Sequence, residues 1–298
     1  MKKVLVIGAT NLDIIARLNQ PMIPHDSNLA KIATGWGGVG HNIALNLAQL
    51  GLDVHFLTTI SSDELGASLK AYFAKANVNV SQAVETPYNT GVYFCLISPE
   101  GKMVVGAVDT KTIEALTEEE INKRLAYLNA FDYLVLDANL NTTTILEICK
   151  QAKGNILVEA TSGEKAKKFI PVLSQISMLK CNTLEAEQLT GIKDDPILQA
   201  EKLLSLGVKE AVITQGAKPV TYTAQNRILQ REVPKAKQIV EETGAGDAFM
   251  AGLVYGQAMG LEVEKAIDLA IKLSQHTLSQ SGAIVPLMQK DEFLGGIK

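Results

Sequence analysis

Val240-Glu-Glu-Thr-Gly-Ala-Gly-Asp-Ala-Phe-Met-Ala-Gly252 is the stretch on which the fold turns. It reads as a strand-like end running into a glycine turn, then a carboxylate, then a helix of small residues. Gly244 and Gly246 let the backbone turn tightly with nothing projecting from it. The N–H groups of residues 244–247 can then converge on an anion at a helix N-terminus, where the macrodipole favours negative charge. Asp247 stands where that anion would sit. A fixed carboxylate there repels a phosphate unless it removes a proton from the group that attacks the phosphate, as the catalytic Asp of a phosphotransferase does. Taken alone, Gly-Ala-Gly-Asp is explained equally well by an Asp that caps an ordinary helix.

Working outward, short apolar runs alternate with helical patterns. Val4 to Ile7, Val54 to Thr58, Tyr133 to Leu136, Ile156 to Glu159, Met178 to Cys181 and Ala211 to Thr214 read as buried parallel strands. Between them, Asn42 to Leu50, Glu64 to Ala76, Thr142 to Ala152, Gly163 to Leu173, Thr183 to Thr190 and Pro196 to Leu206 read as helices, with Gly51, Gly191 and Gly207 as C-terminal stops. The rhythm implies an α/β fold with a doubly wound, mainly parallel sheet and ligands at the carboxyl ends of its strands. Two segments break it, Leu12 to Ala33 and Thr90 to Val108. Their extended pieces are Ile14 to Leu18, Leu29 to Ala33, Gly91 to Ser98 and Met103 to Val108, the last two joined by the turn Pro99-Glu-Gly-Lys102. They predict a small antiparallel sheet, either a lid that excludes water from a transfer reaction or a decorative edge hairpin.

At 298 residues the chain suits one large α/β domain or two small ones, and its 47% hydrophobic and 20% charged residues are ordinary globular usage. A net charge of −4 excludes a broad nucleic-acid footprint and favours a small-molecule partner. Cys95, Cys149 and Cys181 have no metal-type spacing and read as reduced core thiols. His25, His41, His55 and His276 form no ligand pattern either. The apolar run after Lys2-Lys3 is too short for a signal peptide and none approaches transmembrane length, so a cytoplasmic protein is expected.

A second glycine cluster, Gly35-Trp-Gly-Gly-Val-Gly-His-Asn42, opens the helix expected from Asn42. It lacks the preceding core strand and the later acidic residue of a dinucleotide fingerprint, since Thr58-Thr59 stands in that place. Gly37 and Gly38 instead suggest close backbone approach to a bulky ligand, and Asn42 offers a donor and an acceptor to sugar hydroxyls. Asn11 and Asp13, just after the first strand, can add a carboxylate for a diol, or simply form a turn. Asn182-Thr-Leu-Glu185 places an amide and a carboxylate at a helix N-terminus after a strand. That arrangement suits either hydrated magnesium beside phosphate or a plain cap.

Together these pieces resemble the ribokinase-like (pfkB) carbohydrate kinases. Gly37-Gly-Val-Gly-His-Asn-Ile-Ala-Leu-Asn-Leu-Ala-Gln-Leu-Gly51 is similar to the family's N-terminal signature, Asn182 to Glu185 to its N-x-x-E motif, and Glu241 to Asp247 to its D-T-x-G-A-G-D signature. The resemblance runs from about Val4 to Pro286. It implies one domain over residues 1–298, with lid insertions at about 12–33 and 90–108, that phosphorylates a primary alcohol of a sugar or nucleoside with ATP. By the same resemblance Asp247 is the general base, with the amides of Gly244, Ala245 and Gly246 as anion hole. Asn182 and Glu185 support Mg2+ and phosphate, and Thr214, Gly216 and Thr243 belong to the nucleotide site. Asn11, Asp13, Gly37, Gly38 and Asn42 fall to the sugar site, with Tyr93 and Asp109 near a base. Glu241 replaces the signature's first Asp, which leaves a monovalent-cation (K+) site open.

Within the family, Thr90-Gly-Val-Tyr93, Gly106-Ala-Val-Asp109, Asp137-Ala-Asn-Leu140 and Val158-Glu-Ala-Thr-Ser-Gly-Glu-Lys-Ala-Lys-Lys168 resemble the subgroup of pseudouridine kinases. His41 stands where those kinases commonly carry Arg, which alters any contact to a base or a neighbouring subunit. The resemblance also implies a homodimer through the lid. A ribokinase- or fructokinase-like enzyme for a free sugar, and a non-catalytic nucleoside-binding protein on the same scaffold, remain alternatives.

Overall fold

A computed structural model describes residues 2–225, 227–236, 238–240, 242–280 and 282. Val4-Leu-Val-Ile7 form strand β1 with every side chain at most 1% exposed, as an apolar run without alternation must be when helices cover both faces of a parallel sheet. The remaining strands are β2 (Asn11–Leu18), β3 (Ala30–Gly37), β4 (Val54–Leu57), β5 (Thr59–Ser61), β6 (Val78–Asn79), β7 (Val84–Thr86), β8 (Val92–Ile97), β9 (Met103–Asp109), β10 (Tyr133–Asp137), β11 (Asn155–Glu159), β12 (Met178–Asn182), β13 (Glu210–Gln215), β14 (Lys218–Ala224) and β15 (Arg227–Arg231). The helices are α1 (Val39–Gln49), α2 (Glu64–Lys75), α3 (Glu118–Lys123), α4 (Leu125–Leu128), α5 (Thr142–Gln151), α6 (Gly163–Ala166), α7 (Thr183–Thr190), α8 (Pro196–Ser205), α9 (Ala245–Met259) and α10 (Val263–Leu278).

The larger sheet runs β15-β14-β13-β12-β11-β10-β1-β4-β6, parallel from β13 to β6 and antiparallel at its β14 and β15 edge. The chain winds from β1 through β4 to one edge and from β10 to the other. The strand order therefore reverses between β1 and β10, and the crevice at their carboxyl ends is the topological switch point. Alternate residues divide the core: Val4 and Val6 pack with α1, α2, α9 and α10, while Leu5 and Ile7 pack with α5, α7 and α8 on the opposite face. This is the ribokinase-like α/β fold.

The two segments that break the βα rhythm form a second sheet in the order β3-β2-β8-β9. Its outer pairs are antiparallel, as hairpins require, whereas the central pair β2/β8 is parallel. Each hairpin returns to the body from the same end, so their inner strands run alike. Asp63, which caps α2, also accepts the Thr90 N–H and hydroxyl at 2.8 Å each and pins the point where the second hairpin leaves.

Some expected elements differ. Residues 232–236 and 238–240 are irregular, so among the described residues no strand runs directly into the Gly244 turn; the Val240 N–H donates to Leu278 O at the end of α10 instead. Helix α1 begins at Val39, which puts Asn42 inside its first turns. The Gly163 to Leu173 helix is one α turn followed by a 3-10 segment over residues 167–175, because Pro171 has no N–H to donate. The β14/β15 hairpin and α10 were not expected. Among the described residues no helix is long and apolar enough to cross a membrane, and Cys95, Cys149 and Cys181 are buried free thiols.

Candidate active site

Helix α9 owes its small residues to α10. A Cβ on Gly252 would fall 2.5 Å from Ala270 Cα, and one on Gly256 would fall 2.4 Å from Ala266 Cβ, so close helix packing requires both glycines. Gly244, at φ 79°, turns the chain into the helix, and the first-turn amides have no partners within it. Asp247 lies in that first turn, 9% exposed. Burial raises its carboxyl from the ordinary 3.8 to about 6; the hydrogen bond from Asn42 and the Lys180 charge oppose the rise, and the Asp137 and Asp13 charges reinforce it. A carboxylate poised there is ionised at neutral pH yet basic enough to take a hydroxyl proton.

Asn42 reaches Asp247 from α1, donating from Nδ2 to Oδ2 at 2.7 Å. Its other amide atom is also held, since Asn42 Oδ1 lies 3.0 Å from His41 Nδ1. An amide oxygen only accepts, so Nδ1 carries the proton. Burial lowers His41 to about 4 and keeps the ring neutral. It stacks on Tyr72 at 5.7 Å between centroids, and its Nε2 has no partner among the described residues. His41 is fully buried within the chain. It orients Asn42, and through it Asp247.

The glycine loop is tied to the switch point by Asp137 at the end of β10. Buried at 1% exposure, it accepts the N–H groups of Ala9 and Gly40 at 2.9 Å each. Gly37 is where Asp13 crosses the loop: a Cβ there would meet Asp13 Oδ2 at 2.1 Å. Gly38, at φ 102°, would meet Ala9 O at 2.6 Å. Asn11 Nδ2 donates to Asp13 Oδ1, which fixes a polar pair at the start of β2. In the smaller sheet Tyr93 is paired with Asp13 in register, and its hydroxyl lies 3.7 Å from Met103 Sδ. Asp109, at the exposed end of β9, accepts the Lys111 N–H at 3.0 Å and so holds its own turn.

On the far side of the α9 turn an open cavity of about 690 Å3 is lined by Asn182, Thr214, Gly216, Glu242, Ala245 and Gly246 and by the apolar Val220, Val233, Phe249 and Ile271. Thr214 and Gly216 sit at a β-bulge, where the chain turns from β13 into β14 with Gly216 at φ 61°. Thr243 is exposed beside the Gly244 turn. Asn182 and Glu185 form a full capping box: Asn182 Oδ1 accepts the Glu185 N–H at 2.9 Å, and Glu185 Oε2 accepts the Asn182 N–H at 2.8 Å. Among the described residues no three His, Cys, Asp or Glu side chains cluster to cage a metal, so an ion here would keep its own water. Glu241 lies outside the described residues.

Sequence reasoning passed over Glu159 and Lys180. They are ion-paired at 2.9 Å with side chains 4% and 6% exposed, Glu159 at the carboxyl end of β11 and Lys180 in the middle of β12. Burial pushes Glu159 up while Lys180 pulls it back. The available signal was a charge inside an otherwise apolar strand.

The site therefore joins a buried carboxylate, a helix N-terminus and an open cavity beside it. Residues 1–290 match the pfkB family carbohydrate kinase pattern. The chain belongs to the pfkB family of carbohydrate kinases. It is 31% identical to the pseudouridine kinase of Escherichia coli (strain K12), covering 93% of this chain and 90% of that protein. It is 28% identical to the ribokinase of Staphylococcus aureus (strain COL), covering 97% and 98%. The crystal structure of a Thermotoga maritima ribokinase superposes with a TM-score of 0.88 at 23% identity, over 99% of this chain and all of that one. These pfkB relatives are phosphotransferases with an alcohol acceptor, acting on sugars or nucleosides.

Proposed function

We propose that the chain transfers the γ-phosphate of ATP to the 5′-hydroxyl of a nucleoside, with pseudouridine the favoured acceptor. The observation that carries this reading is the position of Asp247, held by Asn42 on the side of the glycine loop and opening at Ala245 and Gly246 onto the 690 Å3 cavity. An acceptor placed beside Asn11, Asp13, Gly37, Gly38 and Asn42 would present its hydroxyl to Asp247. ATP in the cavity, with its base among the apolar side chains, would present its γ-phosphorus to the same point.

Asp247 takes the proton as the hydroxyl oxygen attacks. The amides of Gly244, Ala245 and Gly246 donate to oxygens of the group in transfer, where charge accumulates. Asn182 and Glu185 flank the phosphates and would bind the ion's water shell. Held there through its water, Mg2+ would supply positive charge that offsets that of the ATP phosphates. The smaller sheet acts as a lid that excludes water and brings Tyr93 and Asp109 toward the base. Its outer strand β9 is exposed along its length and carries Met103, Val104, Val105 and Val108, an apolar edge suited to a second copy of the chain in a cytoplasmic homodimer. K+ beside the anion hole remains part of this reading.

Pseudouridine is favoured by the similarity to the E. coli relative and by the lid segments. The 28% identity to a ribokinase supports a free sugar as the second reading. Initial rates at sub-saturating pseudouridine, uridine, ribose and fructose separate the two. The expected order has pseudouridine first in kcat/KM, because a site that hydrogen-bonds its extra imino N–H leaves acceptors unpaired with any analogue. Faster turnover of ribose or fructose would overturn the nucleoside assignment and leave the kinase intact. A protein that phosphorylates none of them is a binding protein.

A further inference from the structure

Lys180 and Glu159 are charges placed inside the sheet, between Leu179 and Cys181 and between Val158 and Ala160. Both residues are at most 4% exposed. A buried ion pair contributes less to stability than apolar side chains of the same volume commonly do, so structure alone is a weak reason for it. The pair is also incomplete. Glu159 Oε1 accepts one of the three ammonium protons of Lys180 at 2.9 Å, and Glu159 Oε2 has no partner among the described residues.

The other end of the geometry lies at the α9 turn. A Cβ on Gly246 would stand 3.0 Å from Lys180 Nζ. The ammonium thus lies beside the backbone of Gly246, which lines the 690 Å3 cavity, and a side chain at that position would press against it. Gly246 has a helical backbone and none of the positive φ found at Gly244, so conformation does not demand glycine here. The facing charges are the carboxylates of Glu159, Glu185 and Asp247. Lys180 is the cation among the side chains acting on Asp247.

We propose that Lys180 is a further catalytic residue, whose ammonium, steadied by Glu159, passes Gly246 to donate to an oxygen of the phosphoryl group in transfer. The inference rests on the phosphotransferase reading above. In the step, the bond from the acceptor oxygen to the γ-phosphorus forms and the bond from that phosphorus to the β–γ bridging oxygen breaks. The hydroxyl proton goes to Asp247 and ADP leaves. Lys180 keeps its protons throughout and serves as donor and fixed charge. Its contact strengthens as charge spreads over the transferring oxygens, so it acts on kcat more than on binding.

The test uses the full chain with Lys180→Met, the double variant Glu159→Gln/Lys180→Met, and Gly246→Ala. Lys180→Met strands a buried carboxylate and is expected to lose stability; the double variant removes that penalty and restores thermal stability. If Lys180 touches the phosphoryl group, the stable double variant keeps ADP affinity and acceptor KM within about threefold but loses at least about 10²-fold in kcat. It also loses the tightening of ADP binding that aluminium fluoride and Mg2+ give the unsubstituted protein. Gly246→Ala, which suits a helix and leaves both charges in place, drops kcat about tenfold or more by interposing a methyl group. A double variant with kcat within threefold of the unsubstituted protein overturns the proposal, and so does a Gly246→Ala variant with normal kcat should the double variant not fold. An unsubstituted protein that phosphorylates no acceptor overturns the kinase reading instead, so the two failures are distinguishable.

Discussion

Asp247→Asn should cost the protein its activity and make it more stable. Burial lifts this carboxyl from 3.8 to about 6. The difference of about 2 units corresponds to about 3 kcal/mol by which the ionised form destabilises the fold at pH 7. The folded state binds this proton more tightly than the unfolded chain, so the contribution of Asp247 to stability is fully present below about pH 4 and is lost as pH rises through about 6. An asparagine does not titrate. It can keep the hydrogen bond from Asn42, but it brings an N–H2 donor where a carboxylate stood near the Lys180 charge. Discounting for that leaves a gain of about 1–2 kcal/mol, or roughly 2–8 °C in Tm, at neutral pH. Thermal unfolding of both proteins at pH 4.5, 6 and 7.5, with kcat at pH 7.5, reads both effects. The variant should turn over at less than about 1% of the wild-type rate, and its extra stability should be largest at pH 7.5 and shrink toward pH 4.5. A variant no more stable than wild type at pH 7.5 would refute the burial argument, and near-normal turnover would remove Asp247 from the chemistry.

Three further outcomes follow from the same geometry. Asn42→Ala deletes a hydrogen bond that lowers Asp247, so the acidic limb of the kcat/KM profile should move up from about pH 6; a limb that stays put means Asn42 does not tune the base. Gly37→Ala puts a methyl 2.1 Å from Asp13 Oδ2 and should raise acceptor KM at least about tenfold with ATP KM unchanged; an unaltered acceptor KM would detach Asp13 from the acceptor site. Glu185→Ala opens the capping box, costing about 1 kcal/mol in denaturant unfolding, and should raise the Mg2+ concentration for half-maximal rate, as should Asn182→Ala. A stability loss without any change in Mg2+ dependence would leave both residues as a helix cap.

The amino-acid sequence by itself determined the βα rhythm, because both-face burial writes itself as uninterrupted apolar runs such as Val4 to Ile7 and Met178 to Cys181. It also determined that Gly244 and Asp247 open a helix, since a left-handed turn before a small-residue run is a local property. Tertiary structure decided what those residues face. Gly37 is bare for Asp13 and Gly252 for Ala270, and Gly246 lies beside Lys180, contacts made across more than fifteen residues of sequence that no local pattern encodes. His41 shows the same division. From its place in a glycine loop it reads only as a change from Arg that alters whatever contact is made there; the start of the helix at Val39 turns the ring inward onto Tyr72 and Phe73, where its Nδ1 holds Asn42. Glu159 and Lys180 were visible as charges in apolar strands. Their meeting required β11 and β12 to lie side by side, which is a fact of sheet order and not of sequence neighbourhood.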